Sequence, residues 1–294
     1  MAEKHKSGFV NIIGSPNVGK STLMNKLVGE RMSIITSKAQ TTRHRILGIV
    51  NTDNHQIVYS DTPGVLEPSY KLQEGMMKSV NSALVDADVF LLVTDVFEDS
   101  VNNEEVFQKV IKSEKPTLLI LNKIDLVTPE RVEELVEFWS GKVDGISILP
   151  ISALRNANIS FIQEWILKKL PEGPKYYDKD TLTDRPERFF TSEIIREKIL
   201  QFYKKEIPYS VEVEVEEFKK EKKLYKIRAI IYVSRESQKG IIIGHKGDAL
   251  KRTGTEARKD LEAYFDKKVF LDLFVKVSKD WRSDEKKLKK MGYL

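Results

Sequence analysis

The amino-acid sequence predicts an α/β domain with a mostly parallel sheet and flanking helices, followed by a smaller α+β domain. Over residues 1–171, short apolar runs alternate with segments of amphipathic helical spacing, which is typical of a layered α/β fold. Proline and glycine break the last of these helices at 170–174, and a different order of elements begins at Phe189. We therefore predict a linker over 172–188 and a second domain over 189–294, which ends in a basic tail.

The elements of the first domain follow from the spacing of apolar residues. Strands are predicted at 9–13, 46–51, 56–60, 89–94, 117–121 and 147–151, and helices at 22–27, 103–112, 129–139 and 159–170. Ligands of such folds bind at the carboxyl ends of the strands. Polar residues that directly follow a predicted strand are therefore the candidates for a site.

The composition is that of packed domains rather than a disordered chain. Of the 294 residues 40% are hydrophobic and none is cysteine, which excludes disulfides and cysteine-based zinc sites. No apolar stretch is long enough to span a membrane, and we predict a cytoplasmic protein. Residues 1–185 hold 22 basic and 25 acidic side chains, whereas residues 186–294 hold 27 and 19. The net +8 of the second half indicates a polyanionic partner, with a solvated lysine-rich surface as the alternative.

The first candidate site is a glycine-bounded turn between the apolar run 9–13 and the helical segment behind it. From Gly14 to Ser21 the chain fits GxxxxGK[ST], a loop whose backbone N–H groups and helix N-terminus hold phosphates. Lys20 is predicted to reach the terminal phosphates and Ser21 to bind magnesium; a chance match in a glycine-rich turn is the alternative. The predicted nucleotide contacts are Gly14, Ser15, Pro16, Asn17, Val18, Gly19, Lys20, Ser21 and Thr22.

A DxxG pattern follows the strand 56–60. Its Asp61 can hold magnesium through water, and the N–H of its Gly64 can meet a γ-phosphate. DxxG is weak evidence by itself and becomes informative through its position after the phosphate loop. The polar segment 31–44, between the two motifs, is predicted to be a loop.

The strand 117–121 ends in residues whose chemistry selects a base. The carboxylate of Asp125 can accept hydrogen bonds from the N1–H and the exocyclic amine of guanine, whereas adenine offers no such pair of donors. Asn122 is predicted to brace the loop, and the aliphatic stem of Lys123 to lie over the ring. The N–H of Ala153, after the next strand, is predicted to meet the guanine O6. The predicted base contacts are Asn122, Lys123, Asp125, Ser152, Ala153 and Leu154.

These motifs, in this order and each at the end of a strand, resemble those of the translation-factor-like GTPases. The resemblance implies a first switch loop over 31–44 and a second over 61–75. It implies Thr42 of the first loop as a magnesium ligand, with Thr41 as the second candidate. The magnesium ligands so implied are Ser21, Thr42 and Asp61. The residues implied in GTP hydrolysis are Lys20, Thr42, Asp61 and Gly64.

One departure from the pattern affects the predicted rate of hydrolysis. Ras-type GTPases carry a water-orienting glutamine after the DxxG glycine, where this chain has Val65. An apolar side chain cannot position water, so slow hydrolysis is predicted. Related GTPases with an apolar residue there use potassium held by an asparagine of the phosphate loop, and Asn17 occupies that position. Arg43 and Arg45 are alternative charge donors or ordinary surface residues.

The second half has a different order of elements. Helices are predicted at 192–205 and 248–265, and strands at 211–216, 224–233 and 269–277, with Gly240 to Gly247 before the second helix. Thr191 or Ser192 is predicted to cap the first of these helices. The order helix–strand–strand–helix–GxxG–helix–strand resembles a type II KH RNA-binding domain.

In KH domains the GxxG glycines let the loop, here 244–247, approach the backbone of a single-stranded nucleic acid. The three isoleucines 241–243 are predicted to form the floor of the groove that binds the nucleic acid. Lys246, Lys251 and Arg252 are predicted to contact its phosphates. A GxxG turn without any RNA role is the alternative, which the element order and the net charge disfavour. The predicted RNA contacts are Ile241, Ile242, Ile243, Gly244, His245, Lys246, Gly247, Lys251 and Arg252.

A GTPase joined to a C-terminal type II KH domain is the plan of the Era family, which the chain resembles over nearly its whole length. Segments 40–45, 183–189 and 242–247 match its signatures, while Thr253 and His245 depart from them. The resemblance implies a bacterial GTPase that binds the 3′ end of 16S ribosomal RNA during 30S subunit assembly. It also implies peripheral association with the cell membrane. We further predict a monomer, with Mg²⁺ at the phosphate loop and K⁺ at Asn17. The alternative is an RNA-binding scaffold whose guanine nucleotide is never turned over.

Overall fold

The computed structural model describes residues 5–100 and 103–294, so residues 1–4 and 101–102 of the predicted first domain lie outside the described part. The chain divides into two units. The first comprises the described residues up to Ser69 with Gln73–Asp184, and the second comprises Tyr70–Leu72 with Arg185–Leu294. No helix within the described ranges has the length and apolar character needed to cross a membrane.

The first unit has the predicted α/β architecture. Its strands are β1 (Lys6–Gly14), β2 (Ile46–Asn51), β3 (His55–Asp61), β4 (Val89–Asp95), β5 (Thr117–Asn122) and β6 (Ser147–Pro150). Its helices are α1 (Lys20–Val28), α2 (Lys71–Asp86, of which Lys71 and Leu72 are counted with the second unit), α3 (Glu104–Ile111), α4 (Pro129–Ser140) and α5 (Ile159–Lys169). The sheet order is β2-β3-β1-β4-β5-β6, with β2 antiparallel to β3 and the other neighbours parallel. The predicted fold class is confirmed.

The central strands carry the core of this unit. Every residue of β4 and β5 is buried, as expected for parallel strands covered on both faces. On one face Phe90 and Leu119 pack in a cluster with Trp139 of α4. That helix begins where Thr128 caps it and Pro129 occupies its first turn, which explains its sharp start. The arrangement brings the carboxyl ends of β1, β3, β4 and β5 to one edge of the sheet.

The structure differs from the predicted linker over 172–184, which is bonded to the first unit. A β-bridge joins Lys6 to Glu172, and the side chain of Gln56 accepts from the Tyr177 N–H (2.9 Å) and donates to its carbonyl (2.8 Å). These are isolated polar contacts rather than a regular element, so the segment shows no periodicity in sequence.

The second unit contains the predicted elements in the predicted order, and two short helices in addition. Its elements are α6 (Glu187–Phe202), α7 (Ile207–Ser210), β7 (Glu212–Lys220), β8 (Leu224–Val233), α8 (Glu236–Ile243), α9 (Asp248–Phe265), β9 (Lys268–Val277) and α10 (Glu285–Lys290). The two additional helices are α7 and α10. Its sheet has the order β7-β8-β9, with β7 antiparallel and β9 parallel to β8.

Helix α6 begins at Glu187, so the predicted start and the caps at Thr191 and Ser192 are wrong. The helix is buried on nearly every side, and amphipathic spacing therefore does not mark its first turn. Its buried Arg196 is held by Glu193, with Nε and Nη2 donating to the two carboxylate oxygens at 2.8 and 2.5 Å. Pairing of this kind is what allows a charge to be buried.

The predicted basic tail is a folded part of the second unit. Trp281, Leu288 and Tyr293 are buried, and the Tyr293 hydroxyl donates to Glu212 at 2.7 Å. Lysines dominate this part of the sequence. The three buried residues are too widely spaced among them to form a recognisable apolar pattern.

Candidate functional site

The phosphate loop lies between the end of β1 and the start of α1, as predicted. Gly19 has φ 98°, and a Cβ at this position would lie 2.3 Å from Asn122 Nδ2. A residue with a side chain is therefore excluded by both conformation and space. Asn17 also has a positive φ, 66°, and its exposed side chain lines the cavity described below.

Lys20 is held at the first turn of α1. Its Nζ donates to the carbonyls of Gly14 and Ser15 at 2.9 and 2.6 Å. Burial lowers the pKa of Lys20 to about 8, and the charges of Asp61 and Glu98 oppose this shift. Glu98 was not identified from the sequence, because it lies in the loop after β4 and matches no motif.

A cavity of about 360 Å³ opens beside this loop. The predicted nucleotide contacts that line it are Pro16, Asn17, Gly19, Lys20, Ser21, Thr22, Gly64, Asn122, Lys123, Asp125, Ala153 and Leu154, together with Thr42. The predicted residues outside the lining are Gly14, Ser15, Val18, Asp61 and Ser152. The other lining residues, which were not predicted as nucleotide contacts, are Ile34, Ile35, Thr36, Ser37, Gln40, Thr41, Thr62 and Leu126. The sequence motifs thus converge on one cavity.

Three oxygen donors meet at the phosphate end of this cavity. Ser21 Oγ donates to Asp61 Oδ2 at 2.7 Å and lies 2.8 Å from Thr42 Oγ1, which is 3.4 Å from the same Oδ2. Asp61 Oδ1 is buried and has no hydrogen-bond partner among the described residues. Burial raises the pKa of Asp61, and the hydrogen bond from Ser21 and the charge of Lys20 oppose this shift. Hard oxygen donors around an unsatisfied carboxylate fit Mg²⁺.

The structure separates the two threonines that the sequence left as alternatives. Thr42 is buried beside Ser21, whereas Thr41 Oγ1 donates to the carbonyl of Lys38 at 2.6 Å and lies 2.6 Å from Thr36 Oγ1. The geometry therefore favours Thr42 as the metal ligand.

The base end of the cavity is braced by side chains. Asn122 Nδ2 donates to the carbonyl of Val18 at 2.7 Å, and its Oδ1 accepts from the Ala153 N–H at 3.0 Å. Ser152 donates to Asp125 Oδ1 at 2.6 Å, which orients the carboxylate. Asn122 has the predicted bracing geometry. The Ala153 N–H donates to Asn122 in this structure. The contact of this N–H with the guanine O6 stays a prediction.

Lys123 has an ion-pair partner that the sequence motifs do not predict. Its Nζ lies 2.5 Å from Asp95 Oδ2. Asp95 ends β4, the strand next to β5, and this position at the carboxyl end of a parallel strand was a signal that could have identified it.

The residues considered for water activation differ in their surroundings. Val65 is 2% exposed and packs in the core, so it cannot position water. Arg43 is buried, so its interpretation as an ordinary surface residue is wrong. Arg45 forms an ion pair with the partly exposed Asp86 at 2.6 Å, as a surface residue can. Neither arginine is among the residues that line the cavity.

A second candidate site is a groove in the second unit, lined from α9 and β9. Its volume is about 350 Å³, and it is lined by Gly247, Leu250, Lys251, Gly254, Thr255, Arg258, Leu271 and Leu273. Gly244, at the start of the adjoining loop, has φ 74°, and a Cβ there would lie 2.6 Å from the Cβ of Ala249. Thr255 and Arg258 follow Lys251 at helical spacing, which could have identified them from sequence.

Of the three isoleucines predicted to form the floor of this groove, the structure excludes Ile242, while the contacts of Ile241 and Ile243 stay predictions. Ile242 is completely buried in the core, and its carbonyl accepts from the Tyr203 hydroxyl at 2.8 Å, while Ile241 is 49% exposed. The apolar lining instead comes from Leu250 with Leu271 and Leu273 of β9. Helical rotation explains the difference, because three consecutive residues of α8 cannot face the same side.

Two other predicted RNA contacts and one departure from the family pattern can be placed. Lys251 lines the groove, whereas the guanidinium of Arg252 lies 4.4 Å from the ring centroid of Phe202. Thr253 is buried where an apolar residue was expected. Its hydroxyl donates to the carbonyl of Ala249 at 2.9 Å and lies 3.1 Å from the Tyr203 hydroxyl, so the polar group is satisfied.

Comparison with known families identifies both units. Residues 9–123 match the family described as "50S ribosome-binding GTPase", and residues 206–282 match the family described as "KH domain". The chain is 44% identical to GTPase Era of Clostridium kluyveri over 290 residues, covering 98% of this chain and 99% of that one. It is 43% identical to GTPase Era of Staphylococcus haemolyticus over 293 residues, covering 99% and 98%.

Two solved structures are similar over the same length. One is Era in complex with MgGDPNP and nucleotides 1506–1542 of 16S ribosomal RNA, with a TM-score of 0.94, 41% identity and coverage of 98% of this chain and 99% of that one. The other is a variant of Aquifex aeolicus Era bound to GDP·AlF4⁻, with a TM-score of 0.93, 40% identity and the same coverage.

Proposed function

This chain belongs to the Era family of GTPases, and we propose that it binds the 3′ end of 16S ribosomal RNA and is released by GTP hydrolysis during assembly of the small ribosomal subunit. One observation carries the proposal: 98% of the chain matches an Era structure that holds both MgGDPNP and nucleotides 1506–1542 of that RNA. The cavity of the first unit and the groove of the second supply a place for each ligand.

The roles within the cavity follow from its contacts. Lys20 and the N–H groups of the loop would hold the phosphates, and Asp125 would hold the guanine. Ser21 and Thr42 would bind Mg²⁺ directly and Asp61 through water; the bound ion supplies positive charge beside the terminal phosphates. Because Val65 faces the core, no side chain at that position orients the attacking water.

Turnover distinguishes this function from that of a scaffold with a permanent nucleotide. We expect many phosphates released per protein molecule in excess GTP, and tighter binding of a 16S 3′-end RNA in the presence of a GTP analogue than of GDP. The measurements are phosphate release with and without the RNA, and RNA affinity in each nucleotide state. Release that stops after one equivalent, with equal RNA affinity in both states, would favour the scaffold.

Thr42→Ala is expected to slow single-turnover GTP hydrolysis roughly 10- to 100-fold and to raise the Mg²⁺ concentration needed for half-maximal rate, because it removes one of the clustered oxygen donors. Thr41→Ala is the matched control, since its hydroxyl bonds within the loop to Lys38. A larger loss in Thr41→Ala than in Thr42→Ala would transfer the ligand role to Thr41.

We propose that a potassium ion at Asn17 assists hydrolysis, which is expected to run about tenfold faster in potassium than in sodium salts, about 1.4 kcal/mol in activation free energy. The support is the exposed side chain of Asn17 in the cavity and the inward-facing Val65. The difference between the salts should disappear in Asn17→Gly.

The glycine variant matters because Asn17 has φ 66°, a conformation that asparagine adopts readily and alanine only at a cost of about 1–2 kcal/mol. Asn17→Ala therefore changes both the ligand and the backbone, whereas Asn17→Gly removes the ligand alone. If Asn17→Gly retains the preference for potassium, the asparagine is present for its backbone conformation and the cation proposal fails.

A further inference from the structure

Lys123, which lines the base end of the cavity, forms an ion pair with Asp95, which does not line it. Asp95 Oδ2 lies 2.5 Å from Lys123 Nζ, and Asp95 Oδ1 accepts the Phe97 N–H at 2.9 Å. The Asp95 side chain is 7% exposed and that of Lys123 is 28% exposed. Both oxygens of the Asp95 carboxylate therefore have a partner. The ion pair is largely buried, where solvent screens the attraction less than on the surface.

The two residues stand on neighbouring strands. In the register of β4 and β5, Asp95 lies opposite Asn122, the residue before Lys123. The lysine lines the cavity and the aspartate does not. The aliphatic stem therefore runs from the end of β5 to the end of β4 and forms a wall of the base end of the cavity.

We infer that Asp95 is a positioning residue for nucleotide binding, which anchors the ammonium of Lys123 so that its stem is already in place when a base enters. The inference rests on the proposed nucleotide site. An unanchored lysine side chain loses much rotational freedom when a ring covers it. Anchored in the folded protein, it has lost that freedom before the nucleotide arrives.

A specific pattern of affinities follows. Loss of the anchor weakens the binding of any purine nucleotide that the stem covers, while the choice of guanine remains with Asp125. Asp95→Asn keeps the shape and an acceptor for the Phe97 N–H but removes the charge. Lys123→Met keeps most of the apolar stem and breaks the same ion pair from the other side.

The test compares GDP dissociation constants, with Mg²⁺ present, for the wild-type chain, Asp95→Asn, Lys123→Met and the double variant. We expect each single variant to bind GDP roughly 5- to 30-fold more weakly. The double variant should bind no more weakly than the single ones, because both changes break one interaction. The preference for GDP over ADP should persist in Asp95→Asn.

The outcomes separate this inference from the proposed function. A wild-type chain that does not bind GDP overturns the proposed function itself. If the wild type binds GDP, wild-type affinity in either single variant overturns the inference. Additive losses in the double variant also overturn it, because they assign Asp95 only to support of the turn at Phe97. Should Asp95→Asn fail to fold in a melting experiment, the affinity of Lys123→Met decides.

Discussion

Asp125→Asn is expected to weaken GTP binding by about 2–4 kcal/mol, because the guanine N1–H and amine lose a charged, bidentate acceptor. The same variant should bind xanthosine triphosphate better than the wild type does, since the C2 carbonyl of xanthine can accept from the new amide. Asp125 lines the cavity, with its Oδ1 oriented by the Ser152 hydroxyl at 2.6 Å. Competition of both nucleotides against a fluorescent GDP measures the change.

Ser152→Ala is the control for this experiment. It removes the hydrogen bond that orients Asp125 but leaves the carboxylate, so a smaller loss of about 1 kcal/mol is expected, without any gain for xanthosine triphosphate. Unchanged GTP affinity in Asp125→Asn, with no gain for xanthosine triphosphate, would show that Asp125 does not recognise the base.

The double variant His245→Asp, Lys246→Asp is expected to weaken binding of a 16S 3′-end RNA by about 3 kcal/mol or more at moderate salt, and by less as salt rises. Two negative charges would stand where the proposed RNA backbone passes the loop between α8 and α9. Both side chains are exposed, and the φ of Lys246, 50°, is one that Asp tolerates, so the fold should persist. RNA affinity, GTP affinity and a melting curve are measured together.

The matched control places two aspartates elsewhere on the second unit. Lys222→Asp, Lys223→Asp changes two adjacent, exposed residues in the turn between β7 and β8. This control should retain most of the RNA affinity, and GTP affinity should be unchanged in both double variants. Equal losses in the two would instead indicate general electrostatic attraction to a basic surface, and a folded loop variant with wild-type RNA affinity would remove the loop from the RNA site.

The sequence by itself determined those parts of the sites that lie within one short segment. The phosphate loop is recognisable because Gly19 must adopt a positive φ next to the lysine that follows it. The residues 122–125 are recognisable because the base needs a carboxylate at the end of a strand. The order of the strands likewise follows from apolar periodicity, a local property. The helices α2, α7 and α10 were not predicted.

Only the tertiary structure decided which residues from separate segments become partners. Two adjacent threonines are equivalent in sequence, yet packing brings only Thr42 to Ser21 and Asp61. Asp95 acquires Lys123 because β4 and β5 are neighbours, and no local pattern records that adjacency. Burial of Ile242 depends on how α8 is rotated against the core. Contacts between segments are set by the packing of the whole unit, and a motif describes one segment at a time.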